Sequence, residues 1–214
     1  MVTTKEKIIE TSIELFNEKG CLNTSTRHIA DKLGISVGNL YYHFKNKEKI
    51  LIDIFLNYIK IVFKEVNSIN YEKDEIFLLK DFLLNNLETD IKYRFLHLEL
   101  NILLLSFPEF KKIMEEQLQN EIKMIKKLLN HQISYGYIKA MSENEMNFLV
   151  SNSWIIATNN LSYWNLLSKD LIANAKRGSL NMYYFIKPYL TQKSLGNERV
   201  KDIEDLLLKD YYEL

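Results

Sequence analysis

Glycine and proline are scarce: 6 Gly and 2 Pro in 214 residues, about 4% together against a usual share of roughly 12%. So few chain-reversing residues exclude an all-β architecture with its many tight turns, and leave an almost wholly helical protein. Cysteine is nearly absent as well. Cys21 has no partner for an internal disulfide, and no basic-then-apolar signal sequence opens the chain, so the expected compartment is the reducing cytoplasm. Net charge is also lacking, since 28 basic side chains balance 28 acidic ones. Overall charge therefore argues for neither nucleic-acid nor membrane binding, and any attraction for DNA must be local.

Catalytic signatures are missing too. No Gly-rich phosphate loop, metal-spaced cluster of His and Cys, or nucleophile beside a base is present. His97 and Glu99, two apart on a helix, point in different directions, and His131 stands alone. Cys21 reads as a loop filler. We expect no enzyme activity and no cofactor. The longest uncharged run, Met146 to Ser168, has 23 residues, but ten of them are Asn, Ser or Thr. That many polar groups would be costly in hydrocarbon, so the run is read as a buried or paired helix, with no membrane partner.

What is present begins with an amphipathic helix. Ile8, Ile9, Ile13, Leu15 and Phe16 fall on one side at 100° per residue, and Glu10, Glu14, Asn17 and Glu18 on the other. Gly20 stops it. Thr24 and Ser25 supply caps for a second helix that turns Ile29, Ala30 and Leu33 inward, and Gly34 ends that one. Ser36 caps a third helix, with Val37, Leu40 and Phe44 inward and Ser36, Gly38, Asn39, Tyr42 and His43 outward. The spacing Ala30, Gly34, Ile35, Ser36 is that of a helix-turn-helix: a small residue where helices cross, a glycine for positive φ, an apolar plug, then a cap. The outward face of the third helix suits a major groove. Short side chains allow close approach, Asn39 has the donors and acceptors to read a base edge, and Tyr42 and His43 reach towards phosphates. Arg27, Lys45, Lys47 and Lys49 supply countercharge, and Asn46 is placed to cap a fourth helix.

The run from Thr24 to Glu48, with its Leu40-Tyr41-Tyr42-His43-Phe44 segment and Lys45-Asn46-Lys47-Glu48, closely resembles the DNA-binding domain of the tetracycline-repressor (TetR) family. The resemblance implies DNA contacts by Ser36, Val37, Gly38, Asn39, Tyr41, Tyr42 and His43, a phosphate clamp by Lys47, and second-helix contacts by Ser25, Thr26 and Arg27. For Tyr41, hydrophobic packing is an equal reading. A second, looser resemblance to a TetR subgroup rests on Tyr93-Arg94-Phe95, Trp154 and Pro188-Tyr189-Leu190.

After Lys49 an apolar stripe recurs at Ile50-Leu51, Ile54-Phe55, Tyr58-Ile59 and Val62-Phe63, predicting a continuous helix as the connection to the rest of the chain. Further helices are expected near Asp74–Thr89, Lys92–Leu105, Pro108–Ser134, from Ser142 across the uncharged run with Glu145 completing a capping box, over Leu171–Leu190, and over Glu198–Tyr212, with a turn at Tyr135–Tyr137 and a loose linker near Lys193–Asn197.

The expected architecture is all-α: a three-helix helix-turn-helix domain over 1–48, joined by a long helix to a helical-bundle domain for effector binding and dimerisation over 49–214. Homodimers would form through the last two long helices, as the resemblance implies, and would face a palindromic double-stranded operator. Tyr58, His97, Asn101, Asn152, Trp154 and Tyr163 are candidate ligand contacts because a ligand site needs an apolar wall and a few polar groups, although a core or dimer-interface residue with a satisfied hydrogen bond is the favoured reading of each. The function expected is a repressor released by a small molecule of unknown identity. Two alternatives stay open: an effector-free nucleoid or division-site DNA-binding protein of the same fold, and a helical carrier of an apolar ligand.

Overall fold

The computed structural model describes residues 3–209. They form thirteen α-helices: α1 (Thr4–Lys19), α2 (Thr26–Leu33), α3 (Val37–His43), α4 (Lys47–Val62), α5 (Lys64–Asn67), α6 (Leu79–Lys92), α7 (Arg94–Leu98), α8 (Leu100–Ser106), α9 (Pro108–Ser134), α10 (Glu143–Leu167), α11 (Leu171–Ile186), α12 (Gln192–Leu195) and α13 (Ile203–Leu208). Among the described residues there is no β-strand, only an isolated antiparallel bridge between Ile138 and Leu190. No helix of the described chain is long and apolar enough to cross a membrane. The all-α class expected from the scarcity of glycine and proline is what the chain adopts.

Two compact units emerge, one of residues up to Ile61 with Lys92–Gln117, the other of Val62–Ile91 with the described chain from Leu118 onward. This geometric division differs from a boundary after residue 48, because most of α4 is built into the first unit. There Ile50, Leu51 and Ile54 are fully enclosed beside Ile8, Phe16, Ile29, Leu40 and Phe95. Phe16 meets Phe95 edge to face at 5.1 Å between ring centroids, and Phe55 meets Phe110 at 5.4 Å, geometries favoured by the ring quadrupole.

The expected helix over Lys92–Leu105 is broken at Tyr93 and at Glu99. Asn17 of α1 compensates the first break, its amide donating to the Lys92 carbonyl (2.7 Å) while its oxygen accepts from the Phe95 N–H (3.1 Å). The long stripe after Lys49 also breaks, at Phe63, and resumes as the single turn α5.

In the second unit α6 starts at Leu79, not near Asp74. The Gln132 side chain binds the preceding backbone, accepting from Phe77 N–H (2.9 Å) and donating to the Glu75 carbonyl (2.9 Å), so these groups are satisfied outside a helix. The Ser142–Glu145 capping box forms as expected. Helices α10 and α11 approach closely at Gly178, where an added Cβ would lie 3.1 Å from the Asn160 Cβ. The Asn160 amide donates to the Gly178 carbonyl (3.1 Å) and its oxygen accepts from Asn181 (3.0 Å). The helical stretch after Leu171 ends as a 3-10 turn, Lys187–Tyr189. The stretch read as a linker near Lys193 instead contains α12, with Ser194 buried and donating to the Tyr137 carbonyl. The last helix is shorter than expected, Ile203–Leu208; positions 210–212 of that expectation lie outside the described residues.

Candidate DNA interface and ligand cavity

Each helix of the helix-turn-helix is closed by side chains that the sequence supplies locally. Ser25 accepts from the His28 N–H (3.1 Å), and His28 Nδ1 returns a bond to the Ser25 N–H (3.3 Å), a capping box in which histidine takes the usual place of Glu. At the other end of α2, Gly34 takes a left-handed conformation (φ 67°, ψ 29°), Ile35 N–H returns to the Ala30 carbonyl (3.0 Å) and Gly34 N–H to Asp31 (3.2 Å), which satisfies the last carbonyls of the helix. Ser36 then caps α3 through the Asn39 N–H (3.1 Å).

This fixes a short helix that buries Leu40 and, just beyond its end, Phe44, and half-buries Val37. Ser36, Gly38, Asn39 and Tyr41 stay exposed, and Tyr42 is 87% exposed, its ring edge-on to that of half-buried His43. The Tyr41 hydroxyl lies 3.2 Å from that of Thr26, tying α3 to α2. Exposed Ser25 and Arg27 and half-buried Thr26 stand at the start of α2, with Arg27 3.8 Å from Asp31. Of the lysines expected to supply countercharge, Lys45 is exposed, whereas Lys49 is ion-paired with Glu109.

Lys47 has a different environment from a surface phosphate ligand. Its half-buried ammonium donates to the carbonyls of Cys21 (2.6 Å), Leu22 (3.2 Å) and Thr24 (2.8 Å), and burial lowers its pKa. The same loop is held from the other side by Glu99, whose carboxylate accepts from the Cys21 N–H (2.9 Å). Cys21 itself is fully buried, and loss of hydration raises its thiol pKa to about 12, which leaves it a packing residue. Asn46 caps α4 through the Lys49 N–H (3.0 Å), and Glu48 caps α9 by accepting from Glu109 and Phe110 N–H (2.7 and 3.0 Å). The Lys-Asn-Lys-Glu segment thus fastens three parts of the first unit. Glu99 had no distinguishing sequence signal beyond a charge amid apolar neighbours.

The second unit contains an apolar cavity of about 190 Å³. Its wall includes Phe63, Phe77, Phe82, Leu128, Trp154 and Met182, and also Glu121 of α9, whose side chain is buried (9% exposed). Loss of hydration lifts the Glu121 carboxyl to about 7. Of the six ligand contacts proposed from sequence, only Trp154 lines this cavity. Tyr58 and His97 belong to the first unit, where the tyrosine hydroxyl meets His97 Nε2 at 3.1 Å. Asn101, Asn152 and Tyr163 are exposed, so the geometry does not gather them. Glu121 went unnoticed, yet its signal was there. Leu118, Ile122, Ile125, Leu129 and Gln132 share the inward face of α9 with it, and a carboxyl on such a stripe departs from the pattern.

Helix α10 carries a stripe at the spacing of a single helical face, Phe148, Asn152, Ile155, Asn159, Tyr163 and Leu166, all exposed in the chain described; Phe148 is 70% and Leu166 84% exposed. Ile172 and Tyr184 of α11 are exposed as well.

Comparison with known proteins agrees with this geometry. The profile of bacterial regulatory proteins of the tetR family matches residues 8–54, and that of a bacterial transcriptional repressor of the TetR type matches residues 57–197. The chain is 43% identical over 65 residues to YerO, an uncharacterised helix-turn-helix transcriptional regulator of Bacillus subtilis, covering 30% of this chain and 22% of that protein. It is 34% identical over 83 residues to YttP, a probable regulator of the same organism, covering 37% and 40%. These alignments span less than half the length of either relative. A crystallised TetR-family transcriptional regulator from Marinobacter aquaeolei VT8 is similar throughout, with 31% identity, a TM-score of 0.79, and 97% of this chain and 98% of that one covered. SmeT, solved as a complex with triclosan, shares the fold at 15% identity and a TM-score of 0.64, over 92% and 97%. With a serine-capped helix-turn-helix, a helical region after it, and both matched by profiles that together take in most of its length, the chain belongs to the TetR family of helix-turn-helix transcriptional regulators.

Proposed function

We propose that this chain is a cytoplasmic homodimeric repressor that holds a palindromic operator through α3 and releases it when a small molecule enters the cavity of the second unit. The observation that carries the DNA-binding half is the outward face of α3: Ser36, Gly38, Asn39 and Tyr42 are exposed while the same helix is fixed by Leu40, Phe44 and its Ser36 cap. An exposed tyrosine beside a histidine contributes little to folding and much to a phosphate or base edge. Val37, Tyr41 and His43 flank that face, with Ser25, Thr26 and Arg27 as the α2 contacts. The exposed face of α10, with Phe148, Ile155, Tyr163 and Leu166 along one side, supports homodimerisation, because large exposed apolar side chains gathered on one face mark an association surface.

An apolar cavity within the second unit favours ligand-responsive regulation over effector-free DNA binding, and the triclosan bound by the structural neighbour SmeT fits a small-molecule effector. One helix links the two functions. Helix α4 starts at Lys47, just after the reading helix, and ends at Val62, which lines the cavity, so both binding events bear on a single element.

The test is a fluorescence-anisotropy titration of the protein against the DNA upstream of its gene, with a scrambled duplex as control, at two salt concentrations. Sequence-dependent binding with a steep salt slope supports the reading. Equal binding to both duplexes rules out an operator-specific regulator.

A further inference from the structure

Resting on the reading of the second-unit cavity as an effector site, we propose that the effector is an apolar molecule carrying a single positive charge, an organic ammonium, and that Glu121 is the residue that receives this charge. Three observations converge. Glu121 is the only ionisable acid or base among the Asp, Glu, Lys, Arg and His types in the cavity lining. No hydrogen bond or ion pair within the described chain reaches its carboxylate, although the residue is nine-tenths buried. The remaining wall is mostly aliphatic and aromatic, with the rings of Phe63, Phe77, Phe82 and Trp154 around the same space.

A buried carboxylate without a partner is costly, and a fold tolerates it where something else supplies the opposite charge. Two polar side chains of the wall are committed to the protein. Gln132 spends its amide on Phe77, Glu75 and His131, and Ser194 donates its hydroxyl to the Tyr137 carbonyl. The hydroxyls of Ser153 and Tyr137 also face this wall, but Glu121 is the one group there that can carry a negative charge near neutral pH. Burial raises the pKa of the Glu121 carboxyl to about 7, so it changes charge near neutral pH, and an entering cation would favour the ionised form. The electron-rich faces of the surrounding rings favour a cation further. A metal ion is a poor match, since no group of three or more His, Cys, Asp or Glu that could hold one exists among the described residues. The volume is adequate for a small apolar body, because an apolar cavity of about 150 Å³ already admits benzene.

The full-length protein should be titrated calorimetrically at neutral pH with two matched pairs, phenethylamine against phenethyl alcohol and octylamine against octanol, and the series repeated on Glu121→Gln. The amines are expected to bind the wild type about tenfold or more tightly than their alcohols. In Glu121→Gln the amines should weaken to the level of the alcohols while the alcohols hold, which also shows that the variant keeps its cavity. Equal affinity of amines and alcohols for the wild type, or a preference that survives in Glu121→Gln, overturns the assignment of charge and leaves a ligand cavity in place. Binding of none of the four probes overturns this inference and the effector site with it, whereas the operator titration separately decides the DNA-binding half.

Discussion

The ammonium of Lys47 lies 2.6 Å from the carbonyl oxygen of Cys21 and 2.8 Å from that of Thr24, so the lysine that opens α4 fastens the loop between α1 and α2. The resemblance to the family implies a phosphate contact by this residue, and the two roles make different predictions. Lys47→Met should destabilise the protein by about 1–2 kcal/mol, since charged hydrogen bonds to partly buried carbonyls are lost. Operator affinity should fall by a similar factor at every salt concentration. A phosphate ligand would instead lower the slope of log affinity against log salt by about one. Urea melts and the two-salt anisotropy titration separate the outcomes.

The same loop makes Gly20 more demanding than Gly34. Gly20 has φ 83° and ψ 149°, a region almost closed to side chains, and an added Cβ would lie 2.6 Å from Oε1 of Glu99, the carboxylate whose other oxygen, Oε2, accepts from the Cys21 N–H. Gly34 has φ 67° with nothing within 4 Å of its added Cβ. Gly34→Ala should therefore cost only the left-handed penalty, about 1 kcal/mol, and Gly20→Ala about 2–3 kcal/mol with partial loss of the Glu99 bond. Denaturant midpoints of the two variants compared at equal slope are the measurement; equal losses would contradict the role given to Glu99.

Tyr42 provides the complementary case, a residue whose removal should matter only to DNA. Being 87% exposed, it can be replaced by Ala with a stability change within about 0.5 kcal/mol. Operator affinity should drop by about tenfold or more if the ring lies against the backbone or a base edge. Unchanged affinity in the anisotropy assay would remove Tyr42 from the interface.

What could be read from the sequence follows from how local the cause is. Ser25, Gly34, Ser36 and the Ser142–Glu145 pair act on backbone groups within a few residues of themselves, and each was legible as a cap before any contact was known. The breaks at Tyr93 and before Leu79 were not, because Asn17 and Gln132 satisfy backbone groups 75 and 55 residues away in the chain. Ligand contacts fared worst for the same reason. Tyr58 and His97 do come together, but with each other, and of the six candidates only Trp154 reaches the cavity wall. A cavity is made by what several helices leave unfilled, and composition along one helix does not show that.

The exposed stripe of α10 predicts its own disruption. Ile155→Glu and Leu166→Glu each place a charge on a face that is already in water in one chain, so a single chain should fold as before. A dimer through this face would lose association, since a buried unpaired carboxylate opposes it twice by symmetry. Light scattering after size exclusion should then show monomers, and operator binding should weaken and need higher protein concentration. A dimer that survives both substitutions would place the interface elsewhere.

Glu121 makes stability depend on pH in a direction that can be worked out. Burial raises its pKa from 4.5 to about 7, so between these values the folded chain holds a proton that the unfolded chain has released. Its contribution is therefore neutral below about pH 4.5, grows increasingly unfavourable as pH rises to about 7, and is constant above that, reaching on the order of 3 kcal/mol. Glu121→Gln cannot ionise. The stability of this variant relative to wild type should rise over pH 4.5 to 7 and then level off, a signature that urea titrations at a few pH values would reveal. An organic ammonium bound in the cavity should flatten that difference, because it stabilises the ionised carboxylate in the folded wild type alone; a difference independent of pH would mean that Glu121 is hydrated or paired in solution.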